Sequence, residues 1–348
     1  MTEHPIPEAP PEIPLPRDDA AGPGPEVQRV LQAADAIALG RMAESPGEIP
    51  WRGWRAVIRR AFLEMLTDRV SLVAAGCAFY GTLALFPAIS MLISIYGLMF
   101  NTAAVEPQLV LLRDLLPPSA YQLIADRVHV LVSKPPGTLG LGLLVSTAVA
   151  LWSSASGVKS IITALNLAYE ETEKRNFIHY QLTTLAITVL AILSAVVGLA
   201  LLVGLPAMLA FVGIPSSQKV LLRVASFALL LLAILAGLAM LYRYGPCRNA
   251  PKWHWVTPGS LVATMLWISA SALFSWYVAT FSTYDATYGP LGTVVAVMMW
   301  FYVTVYAELL GSELNAELEL QTDRDSTDGP PKPLGRRGAY VADHVAEE

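Results

Sequence analysis

The chain has 348 residues, of which 54% are hydrophobic and only 15% are charged, and its mean hydropathy is +0.50. Soluble domains carry roughly 25% charged residues, so this composition excludes an ordinary water-soluble globular protein. The formal net charge of −5 is a poor guide to partners, because most acidic residues lie in the terminal segments and in one short loop. The positions of the basic residues are more informative than the total charge.

Six long windows between Arg69 and Glu317 contain no Asp, Glu, Lys or Arg. They cover residues 70–105, 135–158, 176–218, 224–242, 253–284 and 286–307. Each window can hold the ~20 apolar residues that cross a ~30 Å hydrocarbon core as a helix. A soluble protein with a large core is the alternative, but buried helices rarely run so long without charge. The sequence therefore predicts an all-α integral membrane protein with six transmembrane helices, near residues 72–99, 138–158, 180–206, 221–243, 257–281 and 291–312.

The basic residues predict the orientation. Of the 23 Lys and Arg residues, 18 lie before the first predicted span, after the last one, or in the second and fourth connections. The other 5 lie in the odd-numbered connections. Because basic residues concentrate in cytoplasmic segments, we expect a multi-pass protein of the bacterial inner membrane with both termini in the cytoplasm.

The two ends of the chain are predicted to lie outside the membrane domain, which covers residues 51–320. The first 25 residues contain eight prolines and no apolar run like that of a cleaved signal peptide. Residues 1–50 are therefore expected to form a largely disordered cytoplasmic tail with one short helix. Residues 321–348 are expected to be a second disordered cytoplasmic tail.

An amphipathic helix is predicted just before the first span. Apolar and aromatic residues recur at helical spacing through residues 51–69, and arginines take the other faces. A basic helix of this kind lies in the plane of an anionic leaflet, with its rings at headgroup depth. The alternative is a helix packed on the protein's own cytoplasmic loops. The predicted membrane-interface anchors are Trp51, Trp54, Arg55, Arg59 and Arg60.

Catalytic and metal-binding motifs are sparse. A nuclease would need clustered carboxylates or histidines to hold metal ions over a phosphate. The one such cluster is Glu170, Glu171 and Glu173 with His179, and a solvated loop between two spans explains it equally well. The sequence has no phosphate-binding glycine-rich loop, serine elbow or HExxH motif. Cys77 and Cys247 are expected to be free thiols. We therefore expect no enzyme activity, metal or cofactor.

Polar residues near the inner end of the second span form the first part of a candidate polar cavity. These are Ser153, Ser154, Ser156 and Lys159. A Ser- and Gly-rich segment can open a helix and expose backbone carbonyls to a ligand, as interrupted helices do in transporters. Ordinary hydrogen bonding between helices is the alternative.

The sixth span supplies the other part of the candidate cavity. Glu308, Ser312 and Asn315 form a polar stripe on this helix, with Glu308 about 25 Å from its start at ~1.5 Å per residue. A carboxylate at that depth is unfavourable, so we expect it to face the bundle and to seek a basic partner, Lys159 or Arg243. The alternative is that Glu308 extends to the cytoplasmic headgroups.

Four segments carry a resemblance to a known family. They comprise AFY with LFP at residues 78–87, WSSASGV leading into ALNLAYE at residues 152–170, YDATYGPLG at residues 284–292 and LLGSELNAE at residues 309–317. Together they resemble the YihY/BrkB family of bacterial inner-membrane proteins over roughly residues 55–319. Glu308 and Ser312 depart from the apolar or small residues that are more usual in the family.

The resemblance implies six helices, cytoplasmic ends and a role in the cell envelope. Members have been labelled ribonucleases and later judged not to be, and have been linked to envelope integrity, serum resistance and transport of lipids or solutes. The expected function is therefore a transporter or lipid-handling factor, whose partners are membrane lipids and a lipid or small-solute substrate, with no nucleic acid. The alternatives are a non-transporting assembly factor for envelope integrity and a membrane-tethered hydrolase. The sequence predicts neither the substrate nor the oligomeric state.

Overall fold

A computed structural model describes residues 25–67, 70–99, 136–199, 201, 216–280 and 290–346. These residues form helices, loops and one isolated β-bridge between Pro251 and Thr327. The helices are α1 (Pro25–Leu39), α2 (Trp51–Thr67), α3 (Val70–Met99), α4 (Pro136–Ala168), α5 (Phe177–Leu199), α6 (Ser216–Tyr244), α7 (Trp253–Thr280), α8 (Pro290–Leu320) and α9 (Tyr340–Asp343). A short 3₁₀ helix, Pro46–Glu48, lies between α1 and α2.

Four of the described helices are long and apolar enough to cross a membrane. Their apolar parts are Phe177–Gly198, Val220–Tyr244, Trp253–Tyr277 and Val294–Leu320, which coincide with the predicted third to sixth spans. The first and second predicted spans fall on α3 and α4, which have 30 and 33 residues. The prediction of several apolar membrane helices is thus confirmed, whereas the count of six stays a prediction.

Helix α8 lies in the middle of the bundle. It contacts α3, α7, α2 and α4, while α3 also packs along α4, and α6 packs on α7. The crossing of α7 and α8 is close because glycines meet there. A Cβ atom at Gly259 would collide with the carbonyl oxygen of Gly311, and a Cβ atom at Gly311 would lie 2.6 Å from the Tyr242 hydroxyl. Small residues at this crossing allow the backbones of two membrane helices to approach.

The main buried core lies where six helices, α2 to α4 and α6 to α8, converge. Its residues include Ala74 and Cys77 of α3, Leu165 of α4, Tyr242 of α6, Val256 of α7 and Leu309 of α8. The loops 169–176 and 245–252 and the C-terminal residues all lie at this end of the bundle. We call it the cap end.

Helix α2 packs against α8 at the cap end through small and apolar residues. Gly53, Val57, Ala61 and Met65 are buried. Gly53 lies where α2 meets the end of α1, and a Cβ atom there would collide with the Leu39 carbonyl oxygen. The helix is therefore attached to the protein along one whole face.

The C-terminal segment is folded, so the prediction of a disordered tail over residues 321–348 is wrong for the residues that the structure describes. Residues 321–343, which we call the cap, pack on the loop between α6 and α7. Thr322, Ser326 and Val341 are almost completely buried. The cap is joined to the loop by backbone hydrogen bonds, from Asn249 N–H to Gly338 O (3.0 Å) and from Lys252 N–H to Ser326 O (2.8 Å).

Arg337 holds the cap together internally. Its guanidinium is buried and donates to the backbone carbonyl oxygens of Asp323, Arg324, Lys332 and Ala342. A polar, Gly- and Pro-rich composition is typical of disorder because it offers little apolar area to bury. Here charged hydrogen bonds and a surface supplied by the membrane helices compensate for that deficit. Composition alone could not reveal this.

Candidate functional site

The predicted polar stripe on α8 holds helices together. Asn315 is fully buried, and its side chain accepts from Gly259 N–H (2.7 Å) and donates to Val256 O (3.1 Å) on α7. The Ser312 hydroxyl is also fully buried and donates to Leu309 O within α8 (2.8 Å). Both residues therefore satisfy their hydrogen bonds inside the bundle.

Glu308 lies one turn earlier and its backbone carbonyl accepts a hydrogen bond from the Tyr242 hydroxyl (2.6 Å). The sequence predicts Arg243 as a partner for the Glu308 carboxylate, and this prediction is wrong. Arg243 instead extends into the cap, where it pairs with Asp328 (2.7 Å) and donates to Pro251 O. Among the described residues, Lys159 forms no ion pair with Glu308 either. The role of Glu308 in a cavity stays a prediction.

The Ser-rich segment of the second predicted span does not open its helix. α4 is continuous from Pro136 to Ala168. The Ser156 hydroxyl donates to Trp152 O (3.0 Å), four residues earlier on the same helix. Ser153 is buried, whereas Ser154 and Lys159 are half-buried. The arrangement favours ordinary helix packing over an interrupted helix, because no backbone carbonyl in this stretch has left the helical ladder.

The predicted membrane anchors on α2 divide into two groups. Trp51 is 75% exposed, and Arg55 and Arg59 are exposed beside it. Trp54 and Arg60, in contrast, face the protein. Trp54 packs on a small core and donates from Nε1 to Pro46 O (3.3 Å). Arg60 pairs with Glu317 of α8 (2.5 Å) and donates to the Gln321 side chain (2.6 Å). Their assignment as lipid anchors is therefore corrected, since they lie on the face of α2 turned toward α8.

A buried ion pair at the cap end was not predicted from the sequence. Arg248 donates to both carboxylate oxygens of Glu319 (2.7 and 3.1 Å), and neither side chain has any exposed surface. Ser326 of the cap donates to the same carboxylate (2.6 Å), and the Arg248 guanidinium lies 4.1 Å from the centre of the Tyr169 ring. Burial opposes the charge on Arg248, but Glu319 and Tyr169 outweigh it and raise the pKa of the guanidinium.

Asn166 joins the two loops at this end. Its side chain donates to Glu173 (3.1 Å) and accepts from Cys247 N–H (2.7 Å). Glu173 also binds Arg175 through two hydrogen bonds of 2.7 Å, and these hydrogen bonds lower the pKa of Glu173 to about 2. The carboxylate is thus committed to holding the loops. In the part of the chain that the structure describes, no three His, Cys, Asp or Glu residues are arranged to bind a metal ion.

An open cleft of about 780 Å³ lies between the cap and the loops 169–176 and 245–252. Four basic residues line it, together with acidic and neutral residues. The basic residues are Lys174, Arg175, Arg243 and Arg248, and the acidic residues are Glu170, Glu171 and Asp343. A cleft of this volume is large enough for a small ligand.

Glu170 has an unusual backbone at the edge of this cleft. It follows the end of α4 with φ +56°, and Glu171 N–H returns to Asn166 O (2.7 Å). This is the helix-ending position that normally carries glycine, because a Cβ atom is disfavoured in the left-handed region. A glutamate at such a place is a feature to test for function.

Comparison with known proteins gives a consistent result. The family model described as "Virulence factor BrkB" matches residues 61–335. The ribonuclease-like protein YfkH of Bacillus subtilis (strain 168) is 31% identical over 269 residues, which cover 74% of this chain and 95% of YfkH. A UPF0761 membrane protein of Delftia acidovorans is 28% identical over 281 residues, covering 78% of this chain and 63% of the relative.

A third relative, the UPF0761 membrane protein MS0032 of Mannheimia succiniciproducens, is 27% identical over 253 residues, covering 70% of this chain and 83% of the relative. No solved structure matches the chain. The segments ALNLAYE and LLGSELNAE meet at the cap end, where they supply Asn166, Tyr169, Gly311 and Asn315. Residues 284–289 of the segment YDATYGPLG lie outside the described residues. Since the family model covers most of the chain, this membrane protein belongs to the BrkB family.

Proposed function

We propose that the protein is a lipid-handling factor, and in its fullest form a lipid transporter, of the bacterial inner membrane. In this proposal both termini and the cap end lie in the cytoplasm, as the distribution of basic residues predicts. The substrate class is a membrane lipid or a small solute derived from the envelope. The observation that carries the proposal is the two-sided arrangement of α2.

One side of α2 is fixed to α8, and an apolar stripe on another side is uncovered. Trp51, Ile58, Phe62 and Leu66 are each at least half exposed. At ~100° per residue they lie within about 80° of one another around the helix. Arg55 is exposed within this stripe, and Arg52 and Arg59 are exposed along one side of it. Aromatic and apolar residues together with arginines are the chemistry that inserts into the headgroup region of an anionic leaflet.

Because α2 is attached to α8, contact between α2 and the lipid can act on α8. Arg60 ties α2 to Glu317, which is two residues beyond Asn315 on α8. A change in how α2 lies on the leaflet would therefore be transmitted to the helix that carries Glu308, Ser312 and Asn315. Such a link supports a protein that works on the lipid next to it.

A vesicle assay tests the proposal. The full chain is reconstituted into vesicles of phosphatidylcholine and phosphatidylglycerol that contain a trace of headgroup-labelled fluorescent phospholipid, and a membrane-impermeant quencher is added. We expect quenching to extend beyond the outer-leaflet fraction, and to do so more slowly when Trp51, Phe62 and Leu66 are all changed to Ser. The matched control changes Val27, Val30 and Ile37, which are exposed on α1. Quenching equal to that of protein-free vesicles would contradict transport.

A non-transporting assembly factor is the second candidate. The observation in its favour is the tight packing beside Glu313, where the cavity between α3, α4 and α8 has a volume of only about 10 Å³. An assembly factor would leave the quenching unchanged and would still be required for the envelope. Complementation of a deletion strain by a protein that is inactive in vesicles would establish this candidate instead.

Hydrolysis is not part of the proposed function. Glu173 is engaged by Arg175, and Glu171 accepts a hydrogen bond from Tyr340 N–H (2.7 Å). These carboxylates therefore have structural partners that explain them. Cleavage of RNA by the purified protein with Mg²⁺, abolished when Glu170, Glu171 and Glu173 are all changed to Ala, would overturn this view.

A further inference from the structure

We propose that the cleft between the cap and the loops 169–176 and 245–252 binds a phosphate group, carried by a phospholipid headgroup or by a small soluble phosphate. The cleft has a volume of about 780 Å³, which is within the range of ligand sites. The inference deepens the proposed function, because it assigns the chemistry of the ligand and the place where it binds. A phospholipid as the ligand rests on the proposed function.

Unused hydrogen-bond donors are the first observation behind this inference. Arg243 and Arg248 both line the cleft, and both are buried. The Nε atom of each guanidinium is buried and has no hydrogen-bond acceptor among the described residues. Aromatic rings stack on both guanidiniums, but a ring face provides no acceptor in the guanidinium plane. The Arg248 side chain has no exposed surface and is beyond the reach of a ligand in the cleft, whereas the Arg243 side chain keeps a small exposed fraction. A buried donor without an acceptor is costly, so a ligand oxygen that reached the Arg243 Nε from the cleft would be favourable.

Lys174 provides a second donor, at the edge of the cleft. Its side chain is 73% exposed, and its nearest carboxylate oxygen, on Glu171, is 3.8 Å away. That distance is longer than a hydrogen bond, so the ammonium group keeps donors for a ligand. Lysine and arginine together are the usual ligands of phosphate oxygens.

The acidic residues that line the same cleft are largely occupied by the protein. Glu171 accepts from Tyr340 N–H, and Asp343 accepts from Arg337 N–H (2.9 Å) and Gly338 N–H (3.0 Å). Their negative charge is therefore directed at the backbone of the cap. Glu170 lines the cleft as well, and the three arginines are paired with Glu173, Asp328 and Glu319. The donors left for a ligand are therefore Lys174 and the Arg243 Nε atom, both of which an anionic phosphate oxygen would satisfy.

The location of the cleft fits a lipid headgroup. Its walls are the loops that leave α4 and α6 and enter α5 and α7, and the last three of these helices are apolar enough to span a membrane. The ends of membrane-spanning helices lie at the depth of the lipid phosphates. A phospholipid could therefore place its headgroup in the cleft while its chains stay in the bilayer.

A binding experiment on the full chain in detergent tests the inference with three probes. These are dihexanoyl phosphatidylglycerol, dihexanoylglycerol without phosphate, and inorganic phosphate. We expect the phospholipid to bind, and Lys174→Glu to weaken it about tenfold through the loss of a charge-assisted contact. Arg336→Glu is the matched control, because Arg336 is exposed on the cap, makes the same charge change and does not line the cleft. Arg243→Lys, which keeps the charge opposite Asp328 but removes Nε, is expected to weaken binding without unfolding the protein.

The probes separate the two sources of phosphate. Binding of the phospholipid alone identifies a headgroup, and equal binding of inorganic phosphate identifies a soluble ligand. Equal affinity for dihexanoylglycerol, or the same loss with Arg336→Glu as with Lys174→Glu, would overturn the inference. If the vesicle assay fails while phosphate binding depends on Lys174, the proposed function falls and the cleft assignment stands. If transport is observed and Lys174→Glu leaves phospholipid binding unchanged, the proposed function stands and the cleft assignment falls.

Discussion

Glu170 occupies a backbone conformation that suits glycine, and this permits a clean test of its side chain. Glu170→Gly removes the carboxylate and relieves the strain at φ +56°, whereas Glu170→Ala removes the carboxylate and keeps the strain. We expect the Gly variant to be more stable than the Ala variant by about 1 kcal/mol, measured by thermal unfolding in detergent. If both variants also lose activity in the vesicle assay, the carboxylate has a functional role. A Gly variant less stable than the Ala variant would contradict the strain assigned to this turn.

The ion pair of Arg248 and Glu319 gives a second prediction. Both side chains are completely buried, so removing one leaves the other as an uncompensated charge. We expect Arg248→Ala to lower the free energy of unfolding by about 3–5 kcal/mol, and Arg248→Met with Glu319→Leu to recover most of the loss. Arg336→Ala, at an exposed position, is the control and should have little effect. A double variant no more stable than Arg248→Ala would show that the pair is not the cause.

At the scale of helices, α2 is predicted to depend on Arg60 and not on its neighbour Arg59. Arg60 bonds to Glu317 and Gln321 of α8, whereas Arg59 is exposed. We expect Arg60→Ala to destabilise the protein by about 1–3 kcal/mol and Arg59→Ala to change stability by less than ~0.5 kcal/mol. Thermal unfolding of the two variants compares them directly. Equal effects would mean that α2 is not held by this contact.

The helices could be predicted from the sequence far better than their contacts. Windows without charge place the third to sixth spans because burial in lipid constrains every residue of a span. The cap could not be predicted, because its order depends on Arg337 and on a surface formed by other parts of the chain. The same reason hides the pair Arg248–Glu319, whose members are 71 residues apart and lie in no periodic pattern. Asn315 is recognisable in the sequence as a polar residue of a span, but only the structure reveals its role in joining α7 to α8.

For the whole molecule, the predicted orientation in the membrane, with the cap end in the cytoplasm, can be tested with Cys247. This thiol lies in the cleft at the cap end, half-buried, whereas Cys77 is buried in α3. We expect an impermeant thiol reagent to miss Cys247 in intact cells and to label it after permeabilisation, because the basic loops should be cytoplasmic. The Cys247→Ser variant measures the background labelling. Labelling of Cys247 in intact cells would reverse the orientation.

The two-sided helix α2, the phosphate cleft and the folded cap all belong to one end of the bundle. The proposed function requires that end to meet the cytoplasmic leaflet and to hold a lipid headgroup. The most direct test is native mass spectrometry of the full-length protein extracted from its own membrane. We predict protein ions that carry a phospholipid, and a lower fraction of them for Lys174→Glu than for Arg336→Glu. Bare protein under conditions that preserve bound lipid, for the unmodified chain and both variants, would contradict lipid binding at the cap end.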